Sequence, residues 1–209
     1  MSAHIIDHKH PVGFTPGTFV QTVKGLRPVE RLVPGEDRLE VLDGSDVALL
    51  AMTRVEFNVA ELRADPTRQP VFIPPAALGS SVPARPLIAS QNTRIHAKGR
   101  LVNRVTECPE VLLPIAALIG TNDVERRIPE EGVTYYHLIT EAHHLLRVEG
   151  LMCETLFLEK GDELAEILAA TEARHETPAM ARIDMALAQK LTSKLVSKQR
   201  APTPEPEEG

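Results

Sequence analysis

Apolar and polar residues alternate along much of the chain in a way that predicts short β-strands. Between residues 47 and 59, every odd position is apolar or β-branched, which is the period of two that a half-buried strand requires. Other runs rich in β-branched and aromatic residues end at Gly or Pro, and they cover 18–22, 69–75, 133–139 and 145–151. Residues 94–102 read as a hairpin about Lys98-Gly99, and residues 111–119 fit either a strand or a short helix.

The pattern becomes helical after Gly161. Apolar residues at helical spacing predict one helix over 162–175 and a second that opens at Pro178, with the stripe Met180, Ile183, Leu187, Leu191 and Leu195. Residues 178–200 also carry five basic residues against one acid. Such a basic amphipathic helix can dock on the β domain, associate with another subunit, or contact an anionic membrane surface. The sequence leaves these alternatives open.

Composition limits the kinds of protein this can be. The chain has 209 residues, of which 43% are hydrophobic and 25% charged, with 17 Pro but only 5 Phe, 2 Tyr and no Trp. We expect one domain with an appendage and an aliphatic core interrupted by turns. A net charge of −6 argues against nucleic acid as the main partner. No apolar run is long enough for a signal peptide or a transmembrane helix, so the default expectation is a soluble, cytoplasmic chain.

Cysteine and histidine spacing gives no indication of a cofactor or a structural metal. Cys108 and Cys153 show neither the spacing of a zinc site nor a disulfide framework. Cys153 is most simply a small buried hydrophobe. One set of side chains near the N-terminus could bind a transition metal, although a mobile polar segment is the simpler interpretation; the set is His4, Asp7, His8 and His10.

A series of motifs between residues 11 and 158 resembles the Hint (hedgehog/intein) domain family, in its bacterial branch. The series begins with Gly13-Phe-Thr-Pro-Gly-Thr-Phe-Val and Gly25-Leu-Arg-Pro-Val-Glu-Arg-Leu-Val-Pro-Gly-Glu. It continues with Ala77-Leu-Gly-Ser-Ser-Val-Pro-Ala-Arg-Pro-Leu and Ser90-Gln-Asn-Thr-Arg-Ile, and closes with Val133-Thr-Tyr-Tyr-His-Leu-Ile-Thr-Glu-Ala-His, Glu149-Gly150 and Glu154. The order and spacing of the whole series are more specific than any one motif.

The resemblance implies a mainly β horseshoe of short strands, to which a C-terminal α-helical appendage is added. The expected organisation is a flexible N-terminus (1–12), the Hint-like domain (13–158), a helical extension (161–200) and a disordered acidic tail (201–209). Active members of the family cleave their own chain. A cysteine before the Phe-Thr-Pro-Gly-Thr motif attacks the preceding carbonyl, and a histidine in a Ser/Thr-x-x-His segment transfers protons.

This chain departs from the family pattern at both of those positions. Gly13 stands where the cysteine belongs and has no side chain that could attack. Thr93 stands where the histidine belongs, and a hydroxyl does not titrate near neutral pH. Ser90, His137 and His143 occupy positions where the family places polar groups around the cleft. We interpret His137 as a hydrogen-bonded core histidine and His143-His144 as a solvated bend.

Three functions follow as hypotheses. The first is a Hint scaffold that has lost autoprocessing and is kept as a binding or interaction module. The second is a residual autoproteolytic domain that uses Ser90 or His143 with a water. The third is an oligomerisation module that self-associates through residues 178–200.

Overall fold

A computed structural model describes residues 12–79, 81–157 and 175–200, with the side chains of 197–200 excepted. Within these ranges the chain forms thirteen strands and three α-helices. The strands are β1 Phe19–Thr22, β2 Gly25–Pro28, β3 Arg38–Glu40, β4 Asp46–Ala48, β5 Ala51–Phe57, β6 Pro70–Ile73, β7 Leu87–Ser90, β8 Arg94–Lys98, β9 Glu110–Pro114, β10 Glu125–Arg126, β11 Val133–Ile139, β12 Leu145–Val148 and β13 Leu151–Glu154. The helices are α1 Val59–Ala64, α2 Arg100–Thr106 and α3 Met185–Arg200. The mainly β horseshoe with a C-terminal helix is therefore confirmed.

Three antiparallel sheets make up the β domain. The largest has the order β4-β3-β1-β12-β13-β8-β9, with β2 paired to β1; a second has the order β10-β6-β7, and β11 pairs with β5. Turns at Lys24-Gly25 and Asp43-Gly44 join β1 to β2 and β3 to β4. The order of the first sheet places β1, from the start of the chain, beside β12, near its end. Residues distant in sequence are thereby brought together.

The long strand predicted over residues 47–59 is wrong in two respects. The chain leaves the first sheet at Leu49, whose N–H donates to the Asp37 carbonyl and whose carbonyl accepts from the Gly35 N–H. The next residue, Leu50, donates its N–H to the Ile139 carbonyl at the end of β11. The alternation of buried residues continues across this change, so the sequence pattern alone does not reveal the change of partner strand. The run then ends at Asn58, which caps α1 through a reciprocal pair of bonds with Glu61.

The hairpin predicted over residues 94–102 is also wrong. β8 ends at Lys98, Gly99 follows with a φ of +121°, and α2 begins at Arg100. Val102 and Val105 lie on the buried face of α2, a helical spacing that the strand interpretation overlooked. Residues 111–119 contain both expected structures, because β9 is followed by a 3₁₀ turn at Ile115–Leu118.

The C-terminal helix begins later than predicted. Pro178 does not start α3; the chain first runs beside β9, where Leu112 exchanges backbone hydrogen bonds with Ala181 and Ile183. Asp184 then accepts from the Leu187 backbone N–H and so caps the first turn. The predicted helix over 162–175, His175 apart, the acidic tail 201–209 and residues 1–11 of the N-terminus lie outside the described residues.

α3 docks on the β domain through its apolar stripe. Ala188 and Leu191 of α3 and Ile183 just before it are buried in the main hydrophobic core, and Leu187 and Leu195 pack against that core. Of the alternatives for this helix, the structure shows docking on the chain's own domain. Among the described residues, no helix has the length and apolar composition needed to span a bilayer.

Replacing Leu191, which is completely buried, tests how strongly α3 is docked. We expect Leu191→Ala to lower the free energy of unfolding by about 2–5 kcal/mol, because it removes buried methyl groups and leaves a cavity. Lys190→Ala is the matched control, since Lys190 is exposed on the same helix and should change stability by less than about 0.5 kcal/mol. Urea denaturation followed by circular dichroism measures both, and equal effects would contradict the docking.

Candidate functional site

The candidate site forms where the start of the described chain enters the sheets. Phe14 pairs with Tyr136 of β11, with its N–H donating to the Tyr136 carbonyl at 3.2 Å and its own carbonyl accepting at 2.8 Å. On the other side, Ser90 of β7 donates its backbone N–H to the Gly13 carbonyl at 2.9 Å. The Phe14 side chain is buried in the main core. These contacts hold the peptide around Gly13 between two strands.

Thr93 binds both backbone groups of Gly13. The Gly13 N–H donates to Thr93 Oγ1 at 2.8 Å, and the same hydroxyl donates to the Gly13 carbonyl at 3.1 Å. Thr93 is completely buried and follows a tight turn in which its N–H donates to the Ser90 carbonyl at 3.0 Å. A hydroxyl suits this position because it can donate once and accept at the same time. The amide that joins Val12 to Gly13 is thus fixed by a group that does not titrate near neutral pH.

His137 belongs to β11 and lies beside Gly13. Its cross-strand partner on β5 is Thr53, whose hydroxyl is 3.3 Å from His137 Nδ1, and the His137 side chain is buried. This arrangement agrees with the predicted hydrogen-bonded core histidine. Thr53 carries no chemical motif in the sequence, although the alternation along 47–59 places it on the same face as the buried residues.

Gly13 itself leaves no room for a side chain. Its φ is +151°, a backbone conformation that L side chains rarely adopt. A Cβ built on it would collide with the Tyr136 carbonyl oxygen and lie 2.9 Å from His137 Cδ2. In this structure the cleft is therefore shaped around glycine.

His143 belongs to a different cluster, and its interpretation as part of a solvated bend is wrong. Its side chain is buried, with Nδ1 accepting from the Ala179 backbone N–H at 2.9 Å and Nε2 lying 3.3 Å from Glu154 Oε2. A polar pair of histidines in a loop looks solvated in sequence, because the C-terminal segment that covers it is distant along the chain. Gly13, Ser90, Thr93 and His137 come together, whereas the contacts described for His143 lie elsewhere.

Among the described residues, the cysteines and possible metal ligands add no chemistry to this site. Cys153 is buried in the main core, as predicted, and burial together with the neighbouring Glu154 charge raises the pKa of its thiol. Cys108 is half-buried and also a free thiol. Within the described part of the chain, no group of three or more His, Cys, Asp or Glu side chains is arranged to hold a metal ion. The N-terminal set His4, Asp7, His8 and His10 lies outside that part.

The sequence matches the family described as Hint domain over residues 12–160. The chain therefore belongs to the Hint domain family. No curated protein matches it. The matched segment ends before α3, so the C-terminal helix lies outside the family's domain.

Several solved structures of inteins and related domains are similar to the chain. The gp41-1 intein is 13% identical with a TM-score of 0.44, and the alignment covers 68% of this chain and 97% of the intein. A bacterial intein-like domain from Clostridium thermocellum is 10% identical, with a TM-score of 0.46 and coverages of 69% and 98%. The MchDnaB-1 intein is 14% identical, with a TM-score of 0.41 and coverages of 70% and 100%. The family assignment rests on the sequence match and not on these likenesses.

Replacing Thr93 tests its hold on Gly13. We expect Thr93→Val to lower the free energy of unfolding by about 1–3 kcal/mol, because a side chain of the same shape leaves the buried Gly13 amide without its acceptor. Thr93→Ser is the control, since it keeps the hydroxyl and loses only a methyl group, worth about 0.8 kcal/mol. Chemical denaturation measures both. A valine variant as stable as the serine variant would contradict the role given to the hydroxyl.

Proposed function

We propose that this Hint domain no longer cleaves its own chain and that its scaffold is kept as a binding or interaction module. The observation that carries the proposal is the pairing of Gly13 with Thr93. In the family's mechanism, a thiol at position 13 would attack the carbonyl of residue 12, and a titratable side chain at position 93 would transfer the proton. Glycine offers no nucleophile, and the threonine hydroxyl cannot take up a proton near pH 7.

The contacts of Thr93 support the assignment of this cleft as the inherited centre. Its Oγ1 lies 2.8 Å from the Gly13 nitrogen, which belongs to the peptide bond that an active member would cleave. The site is built from the start of the domain, a middle turn and a late strand, as the family resemblance implies. The hydroxyl occupies the place of the proton-transfer group but serves as a hydrogen-bond partner.

The two alternative functions have less support. Residual cleavage through His143 would require that imidazole at the Val12–Gly13 bond, and both of its ring nitrogens instead face Ala179 and Glu154. Ser90 Oγ accepts from the Asn92 backbone N–H within its turn. Self-association through 178–200 would have to use the exposed face of α3, because the apolar stripe packs on the domain's own core.

The mass of the purified full chain tests the loss of cleavage. We expect the intact mass after prolonged incubation with and without added thiol, at neutral and mildly alkaline pH, because Gly13 has no side chain that could form the ester or thioester that thiols resolve. Intact-mass spectrometry measures this directly. A fragment that begins at Gly13 would contradict the proposal.

Restoring the missing groups tests whether the cleft is the inherited centre. We expect Gly13→Cys combined with Thr93→His to reduce stability, because a Cβ at position 13 has no room, and to give the folded fraction thiol-dependent cleavage after Val12. Gly13→Ala with Thr93→His is the matched control, with the same crowding and no nucleophile. Mass spectrometry detects the released peptide. A folded double variant that never cleaves would show that this cleft is not the catalytic centre of an ancestral Hint domain.

A further inference from the structure

Helices α2 and α3 pack against each other on the β domain. Val102 and Val105 of α2 and Ala188 and Leu191 of α3 are buried in the same hydrophobic core. Because both helices turn these residues towards the core, their opposite sides are exposed next to each other. The segment that matches the Hint family ends at residue 160, so α3 adds its half of this surface to the family's domain.

The exposed surface of the two helices is basic. It carries four exposed cationic residues, here called the basic face: Arg100 and Arg104 of α2, and Lys190 and Lys194 of α3. Neither helix contains an Asp or a Glu. The chain as a whole has a net charge of −6. The basic face is therefore a local excess of positive charge on a protein that is acidic overall.

The described residues do not neutralise the basic face. Other exposed arginines form ion pairs with carboxylates of the chain, as Arg127 does with Glu125 and Arg147 with Glu40. Within the described part of the chain, none of the four basic-face residues forms an ion pair, and Glu107 at the end of α2 is not paired with Arg104. Their charges are therefore accessible to a partner.

The arrangement of the four charges is unfavourable by itself. Arg100 and Arg104 are four residues apart on α2, and the two lysines have the same spacing on α3. Like charges at this spacing lie on the same side of a helix and destabilise it. Arg100 also occupies the first position of α2, where the helix dipole disfavours a cation. An anionic partner bound to the basic face reduces both repulsions.

The composition of the two helices indicates which anionic partner fits. A membrane-binding helix buries apolar side chains in the lipid, but the apolar stripe of α3 is already buried in the domain's own core. Single-stranded nucleic acid is bound by stacking bases on aromatic residues, and neither helix contains one. The net charge of −6 also opposes binding of a phosphate backbone. An acidic polypeptide needs only cations that its carboxylates can reach.

We propose that the basic face binds an acidic segment of a partner protein. The guanidinium groups of Arg100 and Arg104 form charge-assisted hydrogen bonds with its carboxylates, and the ammonium groups of the two lysines balance further negative charge. This inference names a class of partner for the interaction module proposed above, and it rests on that part of the proposed function. It does not depend on whether the chain cleaves itself.

Binding of the full chain to a fluorescein-labelled, glutamate-rich peptide of about twelve residues tests the proposal. Fluorescence anisotropy measures the dissociation constant. We expect binding at about 50 mM salt that weakens by at least about tenfold at about 300 mM salt, because salt screens exposed charges. The control is the same peptide with Gln in place of each Glu, and it should not bind. No binding at low salt, or equal binding of the two peptides, would overturn the proposal.

Substitutions on the two helices locate the binding site. Arg104→Gln combined with Lys190→Gln removes one charge from each helix, and we expect the affinity for the glutamate-rich peptide to fall by at least about fivefold. The matched control is Lys24→Gln combined with Arg63→Gln, which also removes two exposed positive charges that lack an ion pair among the described residues. It should change the affinity by less than about twofold. Equal losses in the two variants would show non-specific attraction and refute the site.

Two other occupants of the basic face give different results. Glu205, Glu207 and Glu208 follow α3 in the sequence, and replacing all three by Gln in the full chain should leave the peptide affinity within about twofold. If only that variant binds the peptide, the chain's own acidic tail is the occupant and the proposed partner is wrong. A single-stranded DNA that binds more tightly than the peptide, and loses affinity in the variant of Arg104 and Lys190, would identify a nucleic-acid site instead and overturn the proposal.

The intact mass of the chain separates this inference from the loss of cleavage. A chain that stays intact but does not bind the glutamate-rich peptide refutes the acidic partner and leaves the loss of cleavage standing. A chain that binds the peptide through the basic face but releases a fragment beginning at Gly13 has the opposite meaning.

Discussion

The hydrogen bonds between the Thr93 hydroxyl and the backbone of Gly13 are the constraint around which the β domain is arranged. They join two residues 80 positions apart in the chain. Through them the first described segment is fixed between β7 and β11, and Phe14 is directed into the main core. The same contacts exclude a side chain at position 13, because the Tyr136 carbonyl and the His137 ring already occupy that space. The backbone around position 13 is therefore held in a conformation that suits glycine.

A second constraint operates at the end of the domain. Glu154 is buried, and a buried carboxylate destabilises the fold unless a cation and hydrogen-bond donors surround it. Arg94 supplies the backbone donor and Arg182 supplies a charge from outside the family's domain. Residue 94 follows Thr93 directly, so the attachment of the C-terminal segment and the hold on Gly13 depend on neighbouring residues at the start of β8. The helix is thereby connected to β8, which begins directly after Thr93.

Local chemistry explains most of the differences between the predicted and observed elements. The capping pair of Asn58 and Glu61 could have been recognised from their spacing, as could the helical spacing of Val102 and Val105 in α2. The division of residues 47–59 between two sheets could not have been recognised from the sequence. Both halves bury alternate residues, and only the positions of the 35–37 turn and of β11 determine where one pairing ends and the next begins.

The sequence by itself determined the mainly β class, the Hint family and the absence of a thiol at position 13 and an imidazole at position 93. Those features are carried by residue types and by order along the chain. The tertiary structure alone decided that Thr93 binds the Gly13 amide, that Thr53 partners His137, and that His143 is buried against Glu154 and the segment that precedes α3. Each of these contacts joins residues between 11 and 84 positions apart. Only the folded arrangement of the strands and the docked C-terminal segment brings such residues together.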